Sequence, residues 1–151
     1  MKKALFICML LLTVTTSVVS QEINPVSWES SSEKINDNEY YLLFTATIQP
    51  GWHLYNLQIP EGGPIATSFT FDKTKSVKFE GKVFSENTPI KSYDKSFSME
   101  LEYFSNKVIF KQKIKINKGN STKVKGNVRF MCCDDHQCIP PTEHNFEISI
   151  N

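Results

Sequence analysis

The feature that most constrains this chain is a two-residue alternation of apolar and polar side chains that recurs along it. From Tyr40 to Ile48 it puts Tyr40, Leu42, Phe44, Ala46 and Ile48 on one side. Successive side chains of a strand point to opposite faces, so such a run buries one face and leaves the other in water. The pattern returns in Phe97, Met99, Leu101 and Tyr103, and again in Val108, Phe110, Ile114 and Ile116, where Gln112 interrupts it. Lys123 to Met131 repeats it with Val124, Val128 and Phe130, and Phe146, Ile148 and Ile150 close the chain. Trp52–Tyr55, Thr67–Phe71 and Val77–Val83 are shorter candidates. Pro50-Gly51, Glu61-Gly62-Gly63-Pro64, Ser105-Asn106 and Asn117-Lys118-Gly119-Asn120 supply turns between them. No stretch carries a helical stripe.

About seven to nine short strands separated by turns predict an all-β fold. The expected form is an immunoglobulin-like antiparallel β-sandwich in a single domain. Ser85–Ser96 reads as polar and irregular, and residues 21 to about 38 are polar, with their N-terminal part expected to be loosely held.

The N-terminus points to a compartment. Lys2 and Lys3 precede an apolar run from Ala4 to Val19, and Val18-Val19-Ser20 offers small residues before Gln21. Residues 1–20 are therefore expected to be a cleaved signal peptide, with the mature domain at 21–151. The apolar run is short for a membrane span of about 20 residues. No later segment is apolar enough to cross, so no membrane span is expected after cleavage. The mature protein is placed in the periplasm or outside the cell, where disulfides persist. Loss of Lys2 and Lys3 moves the formal charge from +1 to −1, which argues against a nucleic-acid partner.

Cleavage also removes Cys8. Of the chain's 4 cysteines, only Cys132, Cys133 and Cys138 remain, all in one cluster. An odd number cannot pair fully within the chain. A ring of about six residues constrains the unfolded state by only about 2 kcal/mol, against nearly 5 for a loop of about 100. Such a bridge is a weak staple and is better suited to opening and closing. A vicinal Cys132–Cys133 bridge is sterically awkward. Strand parity puts Cys132 with Val128 and Phe130, facing the core, and turns Cys133 outward to react. Cys133–Cys138 is therefore favoured, with Cys132–Cys138 as the alternative.

Asp134 and Asp135 disfavour a thiolate at Cys133, and His136 offsets this locally when protonated. A pair whose reduced form lacks thiolate stabilisation leans towards donating electrons. Ile139-Pro140-Pro141 fixes an extended exit that positions Cys138. The competing chemistry is a soft metal site for zinc or copper(I), built from Cys132, Cys133, His136 and Cys138 with His53 or His144. The spacing matches no closed structural zinc pattern.

Cys133-Asp134-Asp135-His136-Gln137-Cys138-Ile139-Pro140-Pro141-Thr142-Glu143 resembles the C-terminal signature of the N-terminal periplasmic domain of the thiol:disulfide interchange protein DsbD. Pro50-Gly51-Trp52-His53-Leu54-Tyr55 resembles an aromatic segment of that domain. Gly62-Gly63-Pro64-Ile65-Ala66-Thr67-Ser68-Phe69 is similar to a variant found in its relatives. The resemblance runs from about residue 25 to the end.

The resemblance implies a sandwich with one reactive cysteine pair and no prosthetic group. That pair would relay electrons from a thioredoxin-like donor to periplasmic thiol-disulfide oxidoreductases. It gives Cys138 the mixed disulfide with the partner and Cys133 the resolving role. Some relatives space the pair so that Cys132 would resolve instead. Tyr55, and by position His53, would lie beside the disulfide, and Tyr93 or Phe97 would cap it. Full-length relatives continue into a membrane domain and a thioredoxin-like domain that this sequence lacks, so reduction in trans is expected. The alternative is a non-catalytic sandwich that binds a protein, copper or zinc through structural or metal-liganding cysteines.

Overall fold

The computed structural model describes residues 24–117 and 121–150. The expected signal peptide, and Lys118 to Asn120 of the last turn, lie outside these residues. Ten strands run through the described residues: β1 (Val26–Lys34), β2 (Glu39–Ile48), β3 (His53–Tyr55), β4 (Ser68–Phe71), β5 (Val77–Ser85), β6 (Ile90–Asp94), β7 (Met99–Phe104), β8 (Lys107–Ile116), β9 (Thr122–Cys133) and β10 (Cys138–Ile150). They form two antiparallel sheets, ordered β1-β2-β8-β5 and β10-β9-β3-β7-β6, with β4 also paired to β9. The fold is an all-β, immunoglobulin-like sandwich. Among the described residues no helix is long and apolar enough to cross a membrane.

The alternating residues meet between the sheets. Tyr40, Leu42, Phe44, Ala46 and Ile48 of β2 are buried with Val108, Phe110, Ile114 and Ile116 of β8. Val124, Val128 and Phe130 of β9 and Phe146, Ile148 and Ile150 of β10 face them. Phenylalanines dominate this core: Phe44 lies 4.7 Å from Phe69 and 4.6 Å from Phe146, ring centre to ring centre. Such rings contribute both apolar area and favourable tilted contacts.

Gly126 falls where this packing is tightest. A methyl group there would meet the Thr70 carbonyl oxygen and the Phe146 ring. Gly51 has φ of 85° and closes the Pro50-Gly51 turn, with Trp52 N–H donating to the Gln49 carbonyl at 3.1 Å.

Gln112, the polar interruption in β8, is buried on the core side. Its Nε2 donates to the carbonyls of Glu80 at 3.0 Å and Lys113 at 2.8 Å. The β5–β8 register shifts between Glu80 and Phe84, so the amide satisfies a carbonyl beside the break.

Two strands depart from expectation. Polar residues 26–34 form β1, paired with β2 from Val26↔Ile48 to Lys34↔Tyr40. Ile90–Asp94, within the stretch read as irregular, forms β6 on β7. Both are edge strands, stabilised by one ladder of backbone bonds and a few anchors such as Val26.

Candidate functional site

The second sheet has an outer face with a small cluster of its own. Directly opposed residues of antiparallel strands point to the same side. Leu54 opposes Phe104 and Cys132, and these three lie in the main core. Their neighbours therefore point the other way: Tyr55 opposes Tyr103, His53 opposes Cys133, and Cys133 opposes Cys138. Tyr55, Leu101 and Cys133 are buried there, with Phe97, Met99, Tyr103, Met131 and Cys138 packed around them. Phe97, Met99, Leu101 and Tyr103 thus share one face as their spacing predicts. That face covers the cysteine pair instead of the main core.

Cys133 and Cys138 form the disulfide, with Cα atoms 4.0 Å apart. Cys132 is free and buried. It sits on the opposite side of the strand, which separates it from the bridge. Cys133 faces away from the main core, as parity predicts, yet it is only 3% exposed. The expectation of an open Cys133 therefore fails, because the β6–β7 loop and Tyr55 cover it. Cys138 is the more accessible partner, half-buried at the start of β10.

Asp134 builds the turn between the two cysteines. Its Oδ1 accepts from the backbone N–H of His136 and of Gln137, each at 2.7 Å, and its own N–H donates to the Gln137 carbonyl at 2.9 Å. These bonds stabilise the carboxylate and hold its pKa below the usual value. Asp135 and His136 are exposed on the same turn, and Pro140 is exposed just beyond it. The β9–β10 register shifts between Ile139 and Thr142, where Pro140 and Pro141 have no N–H to pair.

The aromatic residues take different positions. Tyr55 is fully buried, and its hydroxyl donates to Asp94 Oδ2 at 2.8 Å. The other Asp94 oxygen accepts from the backbone N–H of Ser96 at 2.9 Å and Phe97 at 3.3 Å. Asp94 thereby ties the β6–β7 loop to Tyr55, and Phe97 meets the Tyr55 ring edge-on at 6.0 Å. Phe97 lies in the disulfide cluster, whereas Tyr93 is 61% exposed. His53 stacks on Tyr103 at 4.2 Å. His53, Tyr93, Asp94, Tyr103, Asp134 and Asp135 line a cleft of about 340 Å³ beside the bridge.

The sequence family described as "Thiol:disulfide interchange protein DsbD, N-terminal" matches residues 24–150. The chain belongs to this family. Solved structures agree on the DsbD-type fold. The N-terminal periplasmic domain of ScsB from Proteus mirabilis is similar at 18% identity and TM-score 0.55, over 81% of this chain and 44% of that one. This chain thus spans less than half of that ScsB chain. The Neisseria meningitidis DsbD N-terminal domain in the reduced form is similar at 16% identity and TM-score 0.52, over 82% and 86% of the two chains. The complex between the DsbD N-terminal and PilB N-terminal domains from Neisseria meningitidis gives 11% identity and TM-score 0.54, over 87% and 88%. No curated protein matches the chain.

Two buried groups of this DsbD-family domain have displaced pKa values. Burial, then the hydrogen bond to Asp94, pushes the Tyr55 phenol well above its usual value. Burial pushes the Cys132 thiol up to about 11, so it remains protonated and inert at neutral pH. The residues named as metal ligands do not converge. Cys132 and Cys133 face opposite sides, and among the described residues no three His, Cys, Asp or Glu side chains gather to hold an ion. Sequence reasoning did not single out Asp94, Leu101, Met99 or Tyr103 as site residues. For Met99, Leu101 and Tyr103 the signal was their alternation, which does not say what the face covers; for Asp94 it was Asp94-Lys95-Ser96, a pattern that favours an Asp-capped turn.

Proposed function

We propose that this domain exchanges disulfides through Cys133 and Cys138 in the periplasm, taking electrons from a thioredoxin-like donor and passing them to periplasmic oxidoreductases. The observation that carries this reading is the local Cys133–Cys138 bridge, with one sulfur buried and the other half-exposed at a strand end. A donor thiolate attacks Cys138 Sγ, the S–S bond breaks, and Cys133 leaves with the electron pair. The donor's second thiolate then attacks its own sulfur in the mixed disulfide and releases Cys138. Two electrons and two protons have moved from the donor dithiol to this pair. The reverse sequence, begun by Cys138 on an acceptor disulfide, passes them on. No cofactor enters either step.

Membership of the family supports the exchange chemistry, and the periplasmic ScsB domain supports the compartment. The DsbD–PilB complex supports an oxidoreductase as the kind of partner. The test is trapping. Cys133→Ser should hold a mixed disulfide with a thioredoxin-like partner, and Cys138→Ser should not. A bridge that resists a reduced thioredoxin-like donor, with no complex trapped, sinks the proposal. Stoichiometric zinc or copper retained through purification would favour a metal-binding role.

A further inference from the structure

We propose that His53 is the proton donor and acceptor for the Cys133 sulfur. The inference rests on the exchange reading and deepens it. When Cys138 is attacked, Cys133 is released as a thiolate in an unfavourable place. It is 3% exposed, packed with Tyr55 and Leu101, and followed directly by Asp134 and Asp135. An apolar wall and nearby carboxylates both disfavour a thiolate. Something must protonate that sulfur or balance its charge.

His53 is the titratable residue opposite it. His53 and Cys133 are directly opposed across the antiparallel β3–β9 pair, so their side chains share a face. Opposed residues in such pairs have Cβ atoms about 4.5–5.5 Å apart. Cys138, Cys133 and His53 therefore form one cross-strand row over β10, β9 and β3. Tyr103 stacks on the imidazole at 4.2 Å and holds its plane. His53 is half-buried and lines the 340 Å³ cleft, through which it can exchange protons with solvent. The titratable groups facing it are Cys133, Asp134 and Asp135 at the β9 end, Tyr103 of β7, and Tyr93, Asp94 and Lys95 of the β6–β7 hairpin. Tyr55 follows two residues later on the same face of β3.

The step balances. The incoming thiolate forms a bond to Cys138 Sγ, and the Cys133–Cys138 bond breaks with its electron pair going to Cys133 Sγ. The imidazolium of His53 gives that sulfur its proton and becomes neutral, then recovers a proton from water in the cleft. In the opposite direction neutral His53 takes the proton from Cys133, and the resulting thiolate attacks Cys138 in the mixed disulfide.

The test uses the full mature protein and dithiothreitol, which needs no docking surface. Reduction rates of the oxidised protein and of His53→Phe are compared between about pH 5 and 8, the range in which histidine titrates. The phenyl ring keeps the stack on Tyr103. The ionisation of dithiothreitol cancels in the ratio of the two rates. That ratio should be about tenfold on the acid side and fall towards one as the imidazole loses its proton. The effect lies below the hundredfold or more typical of a positioned acid, because a thiolate is already a fair leaving group. A ratio that does not change with pH overturns the proposal, since a merely structural role changes the rate uniformly. If His53→Phe does not fold, imidazole NMR titrations of the unsubstituted protein decide: the His53 midpoint should move between the oxidised and reduced forms, and an unmoved midpoint overturns it. Absence of a mixed disulfide with a protein partner would sink the relay but leave this ratio readable. A bridge that dithiothreitol cannot open sinks both.

Discussion

Asp94 makes a sharp prediction because its two oxygens do different work. Oδ2 accepts from the buried Tyr55 hydroxyl at 2.8 Å, and Oδ1 accepts from the Ser96 and Phe97 amides. Tyr55→Phe removes one donor, and half-exposed Asp94 regains water in its place. The expected cost is about 1 kcal/mol. Asp94→Ala loses a hydrogen bond to a charged group, worth about 1.5–3 kcal/mol before any discount for Asp94's partial exposure. It also leaves a phenol hydroxyl buried without a partner and removes the turn's amide acceptor. The expected total is about 2–4 kcal/mol. In the Tyr55→Phe background there is no hydroxyl to strand, so Asp94→Ala should cost only about 1 kcal/mol, the value of a lost cap. Urea unfolding of the four proteins of this double-mutant cycle, read as midpoints at constant slope, should give a coupling of about 1–3 kcal/mol. Because the same carboxylate anchors Phe97, Asp94→Ala should also speed reduction of the bridge by dithiothreitol. Costs that add to within about 0.5 kcal/mol would show that the two residues do not act as one unit.

The Cys132 thiol is held in its protonated form, so its stabilising effect is fully present below its unfolded value of 9.0 and is lost as pH rises towards about 11. Cys132→Ala should flatten the fall in stability over that window, by on the order of 2 kcal/mol, in urea titrations at alkaline pH; an unchanged slope refutes this. Gly126→Ala should destabilise by about 1–3 kcal/mol or more, since its methyl meets the Thr70 carbonyl and the Phe146 ring; thermal melts check it, and a neutral effect would mean that β4 yields freely. Asp134→Asn keeps an oxygen to accept from His136 and Gln137 but removes the charge. The Cys133 thiol of the reduced protein should then ionise at lower pH, seen in thiolate absorbance, and an unmoved curve would mean that the carboxylate does not reach the sulfur.

What the sequence revealed follows from where each strand lies. β2 and β8 are central, with one dry face each, and Tyr40 to Ile48 and Val108 to Ile116 show it as clean alternation. β1 and β6 are edges. Ser27, Ser30, Ser31 and Ser32 carry no apolar rhythm, and β1 is a strand because β2 offers it a complete ladder. Local pattern does not record a ladder supplied by a distant segment. The cysteines divide in the same way. Parity in β9 is a local property and correctly sets Cys132 and Cys133 on opposite faces. The cover over Cys133 comes from Tyr55, Leu101 and Phe97, far away in sequence, and no spacing around residue 133 contains it. Tyr93 and Phe97 could not be ranked as covers from sequence because four loop residues, Lys95 to Ser98, lie between β6 and β7 and include Ser98 at φ 55°.

The pleat of β9 also determines which sulfur Cys138 can meet. Cys133 and Cys138 oppose each other directly, while Cys132 opposes Ile139 and Leu54 and points into the sandwich. A slip of β9 by one residue would bring Cys132 to the outer face, but it would reverse every side chain of the strand. Val124, Val128 and Phe130 would leave the core for water. At about 1.5–3 kcal/mol each, those three alone cost roughly 5–9 kcal/mol, comparable to the whole stability of a small domain. The alternative of unpeeling only the strand end must break its pairing with both β3 and β10 and expose Cys132. Two adjacent cysteines can therefore have separate fates without any difference in their own chemistry. The hydrophobic core holds the register, the register assigns the faces, and the face leaves Cys133 as the sulfur that can pair with Cys138.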